Sequence, residues 1–561
     1  MKLRHAALAA VFALAACASA SQTTETLPTP PNATAFAAPP LSATALLEHT
    51  RTLASDEFEG RAPGTEGERL TVDYVSRSFA AAGLQPGVVL PDGTRSWVQE
   101  TQLSAAMLTN TPTLTLSGRD GARQYAYATQ FSAWTRRLEP TINIDNAELV
   151  FVGYGINAPE LGWNDYEGVD VRGKIVVILV NDPDFETGDD RGFGGRAMTY
   201  YGRWTYKFEE AGRQGAAGAL IVHETAPAAY PWAVIQSATG STRWDVVRAN
   251  GGADRAGFDG WMNNEVAMET FRRAGLDFNQ LKARAQTRGF RAVPMNLRGS
   301  TRLETQIETR ATSNVVGVLP GTVRPDETVI YTAHWDHLGR CPPIDGDDIC
   351  NGAFDNATGT SGLIELARRF HAEGAPDRSV AFIALTAEEQ GLLGALYYMQ
   401  HPLFAPRNTV AAINMDGINA FGRTRDIEVR GYGQSQMDDL LTTAIQAQGR
   451  RVEPDSSPEA GYYYRSDHLH FAQLGIPVLY TSRGIDMVDG GVERGRAFSQ
   501  NYVANVYHKP ADEVTDAWDM SGGAEDLEAL YAVGRRLADG DEWPQWGANS
   551  EFRAARTADG R

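Results

Sequence analysis

The chain has 561 residues, enough for two to four structural units at roughly 150 residues each, and 42% hydrophobic with 22% charged residues excludes disorder for most of it. Its 51 basic and 70 acidic side chains leave a formal net charge of −19, which argues against a nucleic-acid partner because phosphate binding calls for a basic surface. Three cysteines exclude a disulfide-dense scaffold, and no apolar run reaches the roughly 20 residues a membrane span needs.

The chain opens with Lys2 and Arg4, followed by an almost wholly apolar run from Ala6 to Ala16. That run has the length of a signal-peptide core and is too short to span a bilayer. It ends Leu14-Ala15-Ala16-Cys17, which resembles a bacterial lipobox, so residues 1–16 are expected to be cleaved and Cys17 to carry lipid. Ala18 rather than Asp follows, which points to an outer-membrane lipoprotein facing the periplasm or the cell surface. The alternative is plain secretion, periplasmic or beyond, with cleavage after Ala18-Ser19-Ala20. Residues 17–40 are rich in Thr, Pro and Ala and read as a flexible tether.

Leu41 to Ala82 reads as helical, interrupted by Glu59-Gly60-Arg61-Ala62-Pro63-Gly64, and strands and turns follow to about Asn143. Residues 144–300 have another texture. Gly173 to Val180 and Gly215 to Val222 are two buried-strand runs, the second preceded by a helical stretch. From Ser313 the pattern is strand, loop, helix. Strands are predicted at Asn314–Leu319, Thr328–Ala333, Ser379–Leu385, Thr409–Met415 and Ile476–Tyr480. Helices are predicted at Gly359–His371, Gln390–Gln400, Gln436–Gln448 and Ala524–Ala538. Alternation of this kind predicts an α/β sheet with helices on both faces, and such sheets collect their chemistry at the carboxyl ends of the strands.

Three successive strand ends carry imidazole or carboxylate: His334-Trp335-Asp336-His337, Glu388-Glu389, and Asn414-Met415-Asp416-Gly417. Asp355-Asn356 lies between the first two, and Tyr507-His508 lies far downstream. His with carboxylate suits Zn²⁺, Mn²⁺ or Co²⁺ and excludes a thiolate site. One bridging carboxylate would allow two ions about 3.5–4 Å apart, as in co-catalytic hydrolysis. Each residue has a plain alternative: Asp355 as a helix N-cap, the two glutamates as first-turn acids, Asp416 as a turn residue. Five such residues in order at successive strand ends favour the metal reading. Cys341 and Cys350 sit close together with Asp345, Asp347 and Asp348 between them. In an exported chain they are expected to close a small disulfide ring; two free thiols are the alternative.

The ordered set resembles the M28 zinc peptidases. It comprises Thr332 to His337, Asn351 to Gly359, Thr386 to Gly394, Asn414 to Gly417, Ser466-Asp467-His468 with Gly475-Ile476-Pro477, and Tyr507-His508. The match covers about residues 300–540. Residues 144–300 resemble a protease-associated (PA) insert. The resemblance implies a doubly wound mixed sheet in a peptidase domain of residues 41–143 and 301–545, an inserted β-rich domain at 144–300, and a tail at 546–561. It implies that two Zn²⁺ are held by His334 and Asp416 on one side and Glu389 and His508 on the other, with Asp355 bridging. Glu388 would be the general base, Asp336 would orient His334, and Tyr463 would hydrogen-bond the oxyanion. Asp467, His468 and His470 receive no role.

The function so implied is an exported aminopeptidase acting on peptides. A carboxypeptidase or dipeptidase of the same family is the alternative, and would need a convergent arginine, with Arg465, Arg483 and Arg494 as candidates. Glutaminyl cyclisation by a single zinc is disfavoured by the full two-metal set, and a non-catalytic peptide-binding protein would be expected to lack ligands.

Overall fold

The computed structural model describes residues 40–558, so the expected signal peptide, Cys17 and most of the expected tether lie outside the described residues. The described residues belong to one compact unit. Among the described residues no helix is long and apolar enough to cross a membrane.

Six strands organise the peptidase part: β1 (Val98–Leu108), β2 (Val293–Leu319), β3 (Arg324–His334), β4 (Arg378–Leu385), β5 (Thr409–Asn414) and β6 (Val478–Arg483). They lie side by side in the order β1-β2-β4-β3-β5-β6. β3, β4, β5 and β6 are parallel, while β2 runs antiparallel to both β1 and β4, so the sheet is mixed. Side chains alternate between the faces, and both faces are apolar. Val329, Tyr331 and Ala333 of β3 join one buried cluster, while Ile330 joins another with Ala381, Ile383 and Ala412. A strand covered on both sides must be apolar throughout, which explains the continuous hydrophobic runs in the sequence. One face is covered by helices Ala43–Leu53, Glu66–Ala81, Thr358–Glu373 and Ser521–Asp539, the other by Leu393–Gln400 and His468–Gln473.

The chain leaves β3 for β4 on one side, then returns to β5 on the other side of β3. The winding direction therefore reverses around β3, and a crevice opens at the carboxyl ends of these strands. Register makes the crevice sharp: His334 lies level with Leu385, and Thr332 with Asn414.

The insert is larger than the sequence texture suggests. Its buried cluster runs from Leu114 to Leu303, so the hairpin Leu114–Gly118/Gly121–Tyr125 and strand Phe131–Trp134 belong to it and not to the peptidase part. The physical reason is strand pairing. The first part of β2 pairs with Leu114–Gly118 and Thr141–Phe151, its middle with β1, and its end with β4. One 27-residue strand thus belongs to both regions, where the sequence predicted only Asn314–Leu319. The insert is also not simply β-rich. Thr141–Phe151, Ile175–Leu179, Gly218–Val222 and Phe258–Met262 form a parallel set, and helices Trp204–Arg213 and Asn264–Arg273 lie in the connections.

Candidate metal centre

The crevice at the end of β3 gathers the residues that the strand ends deliver. His334, the last residue of β3, places Nε2 3.3 Å from Oδ1 of Asp355 and 3.4 Å from Oδ1 of Asp416. His508 places Nε2 3.4 Å from Oδ2 of Asp355 and 3.1 Å from Oε2 of Glu389. Asp355 therefore faces both imidazoles, one oxygen to each. His334, Asp355 and Asp416 form one group of ligand atoms lying within 4.8 Å of one another, and His337, Asp355 and Glu389 form a second.

The donor set fits two divalent cations. Nδ1 of His334 lies 3.1 Å from the backbone carbonyl of Asp336, which can only accept, so that nitrogen carries the proton and Nε2 is left with a lone pair. Nε2 of His508 is buried without a hydrogen-bond partner. Burial disfavours the charged imidazole of His334, yet Glu388, Asp355 and Asp416 hold it well above its ordinary value. His508 is likewise carried up to about 10, against burial, by Asp355 and Glu389. A field that retains protons this firmly attracts a metal cation for the same reason.

The sequence resemblance gave Asp336 the task of orienting His334. The structure divides that task. The main-chain oxygen of Asp336 meets His334, while its carboxylate accepts the backbone N–H of Glu388 at 3.0 Å and of Glu389 at 3.3 Å. Asp336 is fully buried, and burial pushes its carboxyl up to about 7. Glu388 and Glu389 stand in the turn before helix Leu393–Gln400 rather than in its first turn. Burial, then the charges of Asp416 and Glu389, raise the Glu388 carboxyl well above the usual range, the condition a general base near neutral pH requires.

Tyr463 is not brought to the cluster. It sits in a single tight turn, Tyr462–Tyr464, with its ring 4.8 Å from that of His468, and its hydroxyl is buried without a partner. The carboxylates that act on it are Glu551 and Asp438. Burial, and after it the charges of Asp355, Asp416 and Glu388, raise the hydroxyls of Tyr480 and Tyr507, and the Tyr507 ring stacks on His508 at 3.8 Å. Asp467 is buried next to the charges of His334, Asp336 and Asp416, and neither of its carboxylate oxygens has a hydrogen-bond partner. Cys341 and Cys350 are disulfide-bonded across the hairpin Gly339–Ile344/Asp347–Cys350.

Three residues at the centre received no role in the sequence reading. His337 is buried, with Nδ1 2.7 Å from Oε1 of Glu389. Asp512 accepts the backbone N–H of Phe354 at 2.9 Å and of Asp355 at 3.1 Å, holding the bridging residue in place. Arg61 is fully buried and donates to the carbonyls of Leu53, Trp335, Asn351 and Gly352 at 2.6–2.8 Å, which ties together the loops that carry His334 and Asp355. Gly60 makes this approach feasible: its φ is +67°, and a Cβ there would stand 2.4 Å from the carbonyl oxygen of Cys350. The Gly-rich interruption was the visible signal, but a single sequence does not reveal which loops an arginine will bridge.

The centre opens into a chamber of about 1080 Å³, walled by Glu388, Glu389 and Tyr507 on one side and by insert residues including Tyr200, Arg203 and Trp204 on the other. The insert is docked firmly. The backbone N–H of Met198 donates to Pro458 at 3.1 Å, and strand Trp244–Val246 pairs with β1.

Residues 314–527 match the family model of Peptidase family M28. That stretch of the chain is similar to the M28 peptidases. A probable zinc metalloprotease of Pyrenophora teres f. teres is 38% identical over 104 residues, 18% of this chain and 22% of that protein. Aminopeptidase NAALADL1 of Mus musculus is 33% identical over 145 residues (25% and 17%), and aminopeptidase YwaD of Bacillus subtilis is 36% identical over 93 (16% and 18%). The chain thus spans about a fifth of the length of these curated relatives. Among solved structures, an aminopeptidase from Aneurinibacillus sp. strain AM-1 is similar over 90% of this chain and 95% of its own, at 17% identity and a TM-score of 0.48. The matched residues 314–527 include all five predicted metal-binding residues and Glu388.

Proposed function

We propose that the protein is an exported metallopeptidase with two zinc ions that releases N-terminal residues from peptides. The observation that carries this reading is the pair of donor groups sharing Asp355, with the unpaired Glu388 carboxylate beside them. When bound, the two ions would polarise a scissile carbonyl and acidify a water. Glu388 accepts the proton of that water and hands it to the leaving amine. Asp336 keeps Glu388 aimed by binding its backbone N–H, and Asp512 does the same for Asp355. The names of the relatives support zinc and aminopeptidase chemistry, Mn²⁺ or Co²⁺ being the other ions this donor set suits. We read the N-terminal segment as a lipoprotein signal with Cys17 as its anchor, which makes export and an outer-membrane position part of the same proposal. We also read the insert as a PA-type lid.

A panel of aminoacyl chromogenic substrates, run beside N-blocked analogues with and without a chelator, tests the reading. Chelator-sensitive hydrolysis of the unblocked substrates is the expected outcome. Cleavage of blocked substrates alone would overturn the aminopeptidase assignment, and activity indifferent to the chelator would overturn the metal.

A further inference from the structure

The disulfide-bonded hairpin Gly339–Ile344/Asp347–Cys350 interrupts the chain between two members of one donor group. His337 stands just before the hairpin and Asp355 just after it. Together with Glu389 they offer ligand atoms that lie within 4.8 Å of one another. The Cys341–Cys350 bond joins residues nine positions apart in sequence, so it bypasses much of the connection from His337 to Asp355.

The neck of the hairpin rests on Gly60 and Arg61. A Cβ on Gly60 would stand 2.4 Å from the carbonyl oxygen of Cys350 and 2.8 Å from that of Gly339, so both strands of the neck converge there. Arg61 donates to the carbonyl of Trp335 on one side of the neck and to those of Asn351 and Gly352 on the other. One guanidinium can bracket both sides only while the two strands stay together. The strand ladder contributes little to that: its register breaks between Arg340 and Ile344, and Ile344 to Asp347 are exposed. Charge opposes it. The hairpin carries Asp345, Asp347 and Asp348 against the single cation Arg340. Arg340 pairs with Asp348 and Glu59 at the surface, where such pairs hold weakly. The covalent tie is therefore the strongest one across the neck. Cys350 is fully buried, whereas Cys341 is half-buried beside exposed Pro342 and Pro343, so one sulfur is within reach of a reductant.

We propose that the Cys341–Cys350 disulfide is a redox switch for the metal centre: it holds His337 and Asp355 in one donor group, and its reduction weakens binding of the cation there. The step is thiol–disulfide exchange with a dithiol. A thiolate of the reductant attacks the sulfur of Cys341, the S–S bond breaks, and Cys350 leaves as a thiolate that takes up a proton. The second thiol of the reductant then displaces Cys341, so the reductant ends as a disulfide and the protein as two thiols. Without the cross-link the loop regains conformational freedom, which must be given up again each time a cation binds. The group of His334, Asp355 and Asp416 shares only Asp355 with this loop and is otherwise fixed by strand ends, so it is affected less. The switch rests on the two-zinc reading for the identity of the ligands and adds a regulation to it.

The test is a competition titration of the full chain with zinc against a chromophoric chelator. It is run on the oxidised chain, on the chain reduced by a phosphine, and on Cys341→Ser/Cys350→Ser, in which neither position offers a thiol to zinc. The oxidised chain is expected to bind two zinc ions. In the other two samples one ion should bind about 10- to 100-fold more weakly, the range for losing a group that supports a ligand, and the other should change by less than about threefold. Re-oxidation of the reduced chain should restore both affinities, which keeps the test decisive if the double variant fails to fold. Unchanged affinities on reduction, or equal weakening of both ions, would overturn the switch while leaving the two-zinc reading intact. An oxidised chain that binds fewer than two zinc ions would overturn both. If the chain hydrolyses no peptide but the selective weakening is seen, the peptidase reading fails and the switch stands.

Discussion

The two walls of the chamber are built on different principles. On the peptidase side, His334, Glu388, Glu389 and Asp416 emerge from the ends of three adjacent parallel strands, and main-chain register sets their relative positions. On the insert side, Tyr200, Arg203 and Trp204 come from a short turn and the start of one helix, held in place by packing. The peptidase wall can therefore hold its donors closely enough for chemistry. The insert wall, built on a separate core, is suited to selecting what enters.

Substitutions on the two sides should differ in kind as well as in size. The largest effect is expected at Glu388. Glu388→Gln should retain its metal and lose about 10²- to 10⁴-fold in kcat, the range of general acid–base catalysis, as measured by steady-state kinetics beside elemental analysis. Near-normal turnover would remove Glu388 from that role and erase the contrast between the walls. Next is Arg61. Arg61→Met leaves four carbonyls without their donor and should lower stability by about 3 kcal/mol or more, read as a shift of the denaturation midpoint. An unchanged midpoint would mean that the loops bearing His334 and Asp355 hold themselves. The smallest effect belongs to the insert. Trp204→Ala removes an aromatic wall residue and should raise KM roughly fivefold, about 1 kcal/mol, with kcat little changed. A loss confined to kcat would show that the insert takes part in the chemistry, and the division drawn above would fall.

Much of the peptidase part was legible in the linear chain. The apolar runs around Ile330, Ile383 and Ile413 are strands because both their faces are covered; the latter two match their predicted lengths to within one residue, while the strand around Ile330 has 11 residues and begins four residues earlier than predicted. The residues following them were found by position alone. The insert boundary was not legible, because β2 is shared and a polar stretch such as Thr305–Arg310 looks like a loop until β1 is seen to pair with it. Tyr463 was singled out by its spacing before Ser466, and a turn of three residues points it into the packing around His468 instead. Of the three arginines named as carboxylate candidates, Arg465 lines the chamber. Arg483 stacks on Phe421 and donates to Ser499, and Arg494 pairs with Asp489.

The order of residue types along the chain determined the α/β class, the approximate strands and the candidate donors, because periodicity and strand-end position are local properties that survive in one dimension. Tertiary structure alone decided which oxygen of Asp355 faces which imidazole, that Asp336 and Asp512 hold backbone amides, that Arg61 joins three loops, and that insert residues line one chamber with Glu388 and Glu389. Those facts depend on contacts between residues up to about 290 positions apart, and only the packing of one element against another sets such distances.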